Sequence, residues 1–111
     1  MDIYFRTKKL QKSCNFEKDA RQFWGAANAR KLMMRLQELN AADCLADIPK
    51  IPPPRCHELG GDRKGQISVD VQHPYRLIFI PANDPVPFLS DGGLNWARVT
   101  EIEIIEIVDT H

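Results

Sequence analysis

A chain of 111 residues, 43% hydrophobic and 27% charged, is sized for one domain with a modest single core. Its fifteen basic and fifteen acidic side chains cancel, which excludes a whole-protein positive field that would capture nucleic acid indiscriminately. No apolar run is long enough to span a bilayer, so no membrane role is expected.

Charged and apolar residues mix through the first dozen positions, unlike a secretory signal. The three cysteines, Cys14, Cys44 and Cys56, are widely spaced and form no CxxC pair. They suit reduced thiols of a cytoplasmic protein, not a disulfide frame or a zinc site. Charge is uneven along the chain. Residues 1–43 carry nine Lys/Arg against five Asp/Glu, and residues 44–111 carry six against ten. Three of those acids, Glu101, Glu103 and Glu106, fall in the last apolar run. Any RNA-binding surface must therefore be a local patch.

Asp2 to Arg6 alternates as a short first strand. Thr7 is placed to cap a basic helical turn through Lys8, Lys9, Leu10 and Lys12, and Asn15 is a second cap candidate. Glu17 and Asp19 suit the first turn after it, and Gly25 ends that segment. From Ala26 to about Ala42 the spacing of Ala29, Leu32, Met33, Leu36 and Leu39 predicts a helix with one apolar face. Arg30, Lys31 and Arg35 fall on its outer side, which reads as a solvated face or an RNA contact. The two helical segments make a hairpin.

Asp43 to Pro54 is a connector, with one turn at Leu45 to Ile48 and an extended arm at Ile51-Pro52-Pro53-Pro54. Arg55 to Leu59 is a short strand and Gly60-Gly61-Asp62 a turn. Lys64 to Val71 alternates, with Ile67, Val69 and Val71 on one face and Gln66, Ser68 and Asp70 on the other. Gln72-His73-Pro74 reverses the chain into Tyr75 to Ile80, a near-continuous apolar run suited to a central strand. Residues 82–98 form a long loop by composition. Val86, Phe88, Leu89, Leu94 and Trp96 suggest that it folds over something or meets a partner. Val99 to Val108 is the last strand, and its shift of apolar parity predicts a bulge near Ile104 and Ile105. The class is α+β, with a strand and a helical hairpin packed on a three- to four-stranded antiparallel sheet.

Three groups of residues carry a family resemblance. Gly61, Arg63, Gly65 and Ser68 fit Gly-x-Arg-x-Gly-x-x-Ser. Tyr75, Arg76, Leu77, Ile78 and Phe79 fit an aromatic-Arg-hydrophobic-hydrophobic-Phe strand. Asp109 and His111 fit a terminal Asp-Tyr-His. Together they resemble the HigB-type (plasmid maintenance) killer toxins of the RelE/ParE superfamily. The resemblance implies a bacterial type II toxin that cleaves messenger RNA on the ribosome. It also implies a HigA-like helix-turn-helix antitoxin, through which alone the toxin meets operator DNA.

Metal-free RNA cleavage needs a base for the 2′-hydroxyl, a cation for the pentacoordinate phosphate, and an acid for the leaving 5′-oxygen. No metal-ligand spacing occurs, so no metal or cofactor is expected. By pattern alone Arg63 is a solvated turn charge, and Arg76 is an ion pair with Asp70 or Glu103. The resemblance turns both into phosphate ligands, since a guanidinium fork matches phosphate oxygens. It also makes His111 the acid–base candidate, where an imidazole titrates near neutrality, and Asp109 its orienting partner or a hold on Arg76. Lys64, His57, Tyr75 and His73 are the RNA-contact candidates, and His57 and His73 are also alternatives to His111 as the acid–base group. Thr110 stands where the family has tyrosine, so Tyr75 or Trp96 must supply any aromatic surface. Zero net charge is a second departure. Two other readings stand beside the nuclease. One is a non-catalytic toxin-fold protein that holds an antitoxin or inhibits another target such as gyrase. The other is a plain homodimerising domain.

Overall fold

The computed structural model describes residues 1–110. The chain opens with β1 (Asp2–Phe5), followed by a helical layer of α1 (Lys8–Asn15), α2 (Glu17–Trp24) and α3 (Ala26–Ala41). Thr7 caps α1 as expected, its Oγ1 accepting from Leu10 N–H at 3.1 Å. Asn15 does not cap α2. It closes α1, and Phe16 takes the cap position in extended backbone with no side-chain bond. The basic turn is thus a full helix, and the expected hairpin of α2 and α3 has a third member. Gly25 separates α2 from α3 at φ 81°, a conformation glycine adopts without a Cβ penalty.

On α3, Ala29, Leu32 and Leu39 are buried, with Met33 and Leu36 packed beside them. Arg35 corrects the reading of the outer face, because it is only 4% exposed. Its Nε donates to Asp70 O at 2.8 Å and its Nη1 to Glu38 Oε1 at 2.8 Å. A buried guanidinium is tolerable when its donors are satisfied in this way.

The connector makes its single turn at Leu45–Asp47, where Leu45 N–H donates to Val99 O at 2.9 Å. The proline run is not an extended arm. It folds into a turn closed by Arg55 N–H on Ile51 O at 3.1 Å. Then come β2 (His57–Glu58), a turn of 3-10 helix at Gly61–Arg63, β3 (Ile67–Asp70), β4 (Tyr75–Pro81) and β5 (Glu101–Asp109).

The sheet order is β1-β5-β4-β3-β2. Strands β2 to β5 form the antiparallel meander that was expected, with four members. The difference is β1, which joins the same sheet as a fifth strand parallel to β5. The Met1 ammonium secures that edge. It donates to the carbonyls of Leu39, Asn40 and Ala42 at the C-terminal end of α3, where the helix dipole favours a cation.

Leu77 and Phe79 of β4, Ile67 and Val69 of β3, and Ile102 and Ile104 of β5 fill the core beneath Leu32 and Leu39. The bulge lies where the parity shift predicted it. Ile78 faces Glu106 and Phe79 faces Ile104, so Ile105 is the extra residue. In the long loop Leu94 and Trp96 pack on the core, while Phe88 and Leu89 stay exposed.

Phe79→Ala is expected to cost about 3–5 kcal/mol, the range for emptying a buried aromatic site. The urea midpoint reads this directly, and a loss under about 1 kcal/mol would contradict the central place given to Phe79. Burial pushes the Cys14 thiol up to about 11 and the Cys56 thiol up to about 12. At pH 8 both should resist a maleimide until the protein unfolds, while half-exposed Cys44 reacts in the native state. Native labelling of Cys56 at a free-thiol rate would contradict this.

Candidate functional site

Alternation along β3, β4 and β5 sends every second side chain away from the core. The outward set forms two rows. In one, Asp70 faces Arg76, and Arg76 faces Val108. In the next, His57 faces Ser68, Ser68 faces Ile78, and Ile78 faces Glu106. Same-face rows lie about 7 Å apart along the strands. Ser68 and Ile78 are nonetheless fully buried, so this face is covered at its centre.

Arg63 reaches from the 3-10 turn to the second row. Its Nη1 donates to Gln66 Oε1 at 3.0 Å and pairs with the Glu106 carboxylate. The turn is shaped by Gly61 at φ 59° and Gly65 at φ 88°, where a side chain would be strained. The glycines of the Gly-x-Arg-x-Gly pattern therefore have a backbone reason, which is to carry Arg63 back over the sheet. The β5 bulge makes the pair. Strict alternation from Ile102 and Ile104 would put Glu106 in the core, and the extra residue Ile105 turns it outward to meet Arg63.

At the first row, Arg76 is 13% exposed, with Nε 3.6 Å from Asp70 Oδ1. Asp70 is held from its other side by Arg55, whose Nε and Nη2 donate at 2.8 and 3.0 Å. This two-pronged bond to Asp70 also raises the Arg55 guanidinium above its ordinary range. Arg55 itself sits at φ 47°, an outlier for a long side chain. A cavity of about 50 Å³ at this end is lined by Arg55, Asp70, His73, Tyr75 and Arg76, among others.

The outer face brings together only part of the set chosen from sequence, namely Arg63, Arg76 and His57, whereas Tyr75 and Asp109 share the parity of core residues Leu77 and Ile107 and so point to the other side of the sheet at its end. Arg63 and Arg76 stand on adjacent rows, and His57 lies in the second row with its Nδ1 3.1 Å from Arg55 O. Tyr75 and His73 border the small cavity, and Tyr75 faces Asp109 in the β4–β5 ladder. Lys64 is exposed on the turn after Arg63. His111 lies outside the described residues. Trp96 is engaged elsewhere. Its Nε1 donates to Glu58 at 2.7 Å, and Lys50 stacks on its ring at 4.5 Å.

Sequence reasoning did not select Glu106 or Arg55 for the site. Glu106 was countable only among the acids of the last strand, and placing it needed the bulge position. Arg55 carries no local signal, because its partner is fifteen residues away on another strand. Asp70 was named as a partner for Arg76, and β3–β4 register puts the two opposite each other.

No family model matches this chain, and no curated protein matches it. Among solved structures it is similar to the YoeB/ParE toxin from Agrobacterium tumefaciens. The TM-score is 0.59 at 12% sequence identity, with 100% of each chain covered. Across its whole length, then, the chain has the α+β fold of a YoeB/ParE toxin.

Proposed function

We propose that this chain is the toxin of a toxin–antitoxin pair, a HigB-type member of the RelE/ParE superfamily that cleaves messenger RNA on the ribosome. One observation carries the reading. Arg63 reaches from its turn to one row of the outer sheet face and pairs with Glu106, and Arg76 stands on the next row with its Nε 3.6 Å from Asp70.

In this reading the two guanidinium groups take the non-bridging oxygens of one phosphate, displacing Glu106 and Asp70. The ribose 2′-oxygen loses its proton and attacks phosphorus, and the P–O5′ bond breaks as the 5′-oxygen takes a proton. The products are a 2′,3′-cyclic phosphate and a 5′-hydroxyl. Asp109, His111 and His57 are the groups proposed for proton transfer and its orientation, with no metal in the step. Lys64 adds a point charge to the backbone path, and Tyr75 and His73 border it. A HigA-like helix-turn-helix antitoxin in the same cytoplasm would silence the toxin and connect it to operator DNA.

A second reading rests on the same ion pairs. Arg63 is matched by Glu106, Arg55 by Asp70, and Arg6 of the neighbouring edge by Glu103. A face neutralised in this way suits a toxin that binds a protein target such as gyrase, or that serves mainly to hold its antitoxin.

Primer extension on translated messenger RNA after induction separates the two. The nuclease reading expects discrete cuts that fall by about 100-fold or more in Arg76→Ala, the scale of losing one transition-state donor. Growth arrest with intact RNA and altered supercoiling would contradict it in favour of the second reading. Glu106→Gln should bind a 2′-O-methyl RNA several-fold more tightly, because one competitor for Arg63 has lost its charge. Equal or weaker binding in a fluorescence titration would show that Glu106 does not compete with phosphate.

A further inference from the structure

The sheet has two edges, and they are not alike. β2 is two residues long, too short to template another chain. β1 offers four residues with no proline, glycine or bulge. Asp2 N–H donates to Thr100 O at 3.0 Å and Arg6 N–H to Ile104 O at 2.9 Å, so the even-numbered residues turn their backbone toward β5. In a parallel ladder the intervening residues point the other way. The amides and carbonyls of Ile3 and Phe5 therefore face the outer side. That side opens on a groove of about 590 Å³ bordered by α1 and α3, with Gln11, Gln37, Met33 and Leu36 in its wall. The side chains of Ile3 and Phe5 belong to the core layer but remain half-buried, whereas their ladder partners Ile102 and Ile104 are fully buried. Among the described residues, no hydrogen bond reaches the outward amides and carbonyls of Ile3 and Phe5, and their side chains open on the groove.

The order of residues selects the neighbour. Asp2-Ile3-Tyr4-Phe5-Arg6 is its own antiparallel complement. Rotated about a two-fold axis at Tyr4, Asp2 meets Arg6 of a second copy, Ile3 meets Phe5, and Tyr4 meets Tyr4. We propose that two copies of this chain join β1 to β1 in this register, making one continuous sheet across the pair.

The hydrogen-bond parity fits the charge parity. The outward groups are those of Ile3 and Phe5, so the two Ile3–Phe5 positions are the hydrogen-bonded pairs of the new ladder. Tyr4 then occupies the non-hydrogen-bonded position at the axis, where side chains come closest, at about 4.5 Å between Cα atoms. Tyr4 is 50% exposed, and its hydroxyl is held by Glu101 at 3.1 Å, which leaves the ring face to stack. Arg6 already lies 3.3 Å from Glu103 and, in the pair, gains Asp2 of the second copy; one guanidinium can serve both carboxylates. The interface is isologous and closes at two copies, so it blunts the exposed edge without forming fibres.

Sedimentation of the full chain tests this at about 100 µM, above the micromolar affinity expected for a small interface. The wild type should run at twice 12.7 kDa. Asp2→Lys and Arg6→Glu should each weaken self-association by at least about tenfold, since each places like charges opposite one another. An equimolar mixture of the two variants should restore the dimer, because every charge then meets its opposite. Independently, mild oxidation should link Tyr4→Cys into a covalent dimer across the axis, while Asp2→Cys, which faces position 6, should not link. A wild type that stays at 12.7 kDa, a dimer insensitive to both charge variants, or equal cross-linking at positions 2 and 4 would overturn the proposal. So would an edge that pairs only with a peptide from another protein.

Discussion

The ladder between β4 and β5 is the constraint on which both the core and the candidate site depend. Along β4, Leu77 and Phe79 go down into the core while Arg76 and Ile78 go up to the outer face. A strand alternates strictly, so these two sets cannot be positioned separately. A slip of one residue would bury Arg76 and expose Phe79 together. Packing of Phe79 against Ile104 therefore does more than stabilise the domain. It sets the direction in which Arg76 points.

β5 solves a harder problem. It must keep Ile102, Ile104 and Ile107 in the core, and these do not share one parity. The extra residue at Ile105 reconciles them. The same irregularity turns Glu106 to the outer face, where it meets Arg63 from the glycine-shaped turn. Core packing and site electrostatics are thus products of one bulge. The outcome is a face of alternating sign. Glu106 holds Arg63, Asp70 holds Arg55, and Arg76 lies 3.6 Å from the same Asp70, so the carboxylates offset much of the arginines' field. In the proposed reading, a phosphate on this face would compete with Glu106 and Asp70 for the same guanidinium groups.

Local periodicity carried much of this architecture into the sequence. The apolar spacing of α3, the alternation of β3, the continuous run of β4 and the parity change in β5 are each written within a dozen residues. What was hidden depends on partners distant in the chain. β1 reads as a strand, but its parallel pairing with β5 joins Asp2 to Glu101 and has no local mark. Arg35 reads as a surface residue because its acceptor is the Asp70 carbonyl, supplied by another strand. Ser68 reads as solvent-facing but is fully buried on the outer face. Arg63 and Arg76 were visible as candidates, yet Glu106 at the same place needed a three-dimensional register. Cations announce themselves through motif and composition. The acid that answers each one is fixed by strand register.

Backbone amide shifts during titration with a 2′-O-methyl RNA oligonucleotide locate RNA on the outer sheet face, because binding is read without cleavage and residue by residue. Perturbations are expected to gather on Arg63 to Ser68, Arg76 to Ile78 and Glu106 to Asp109, with α3 left unchanged on its Arg30 and Lys31 side. Perturbations centred on that helical face, or none at saturating RNA, would contradict this placement.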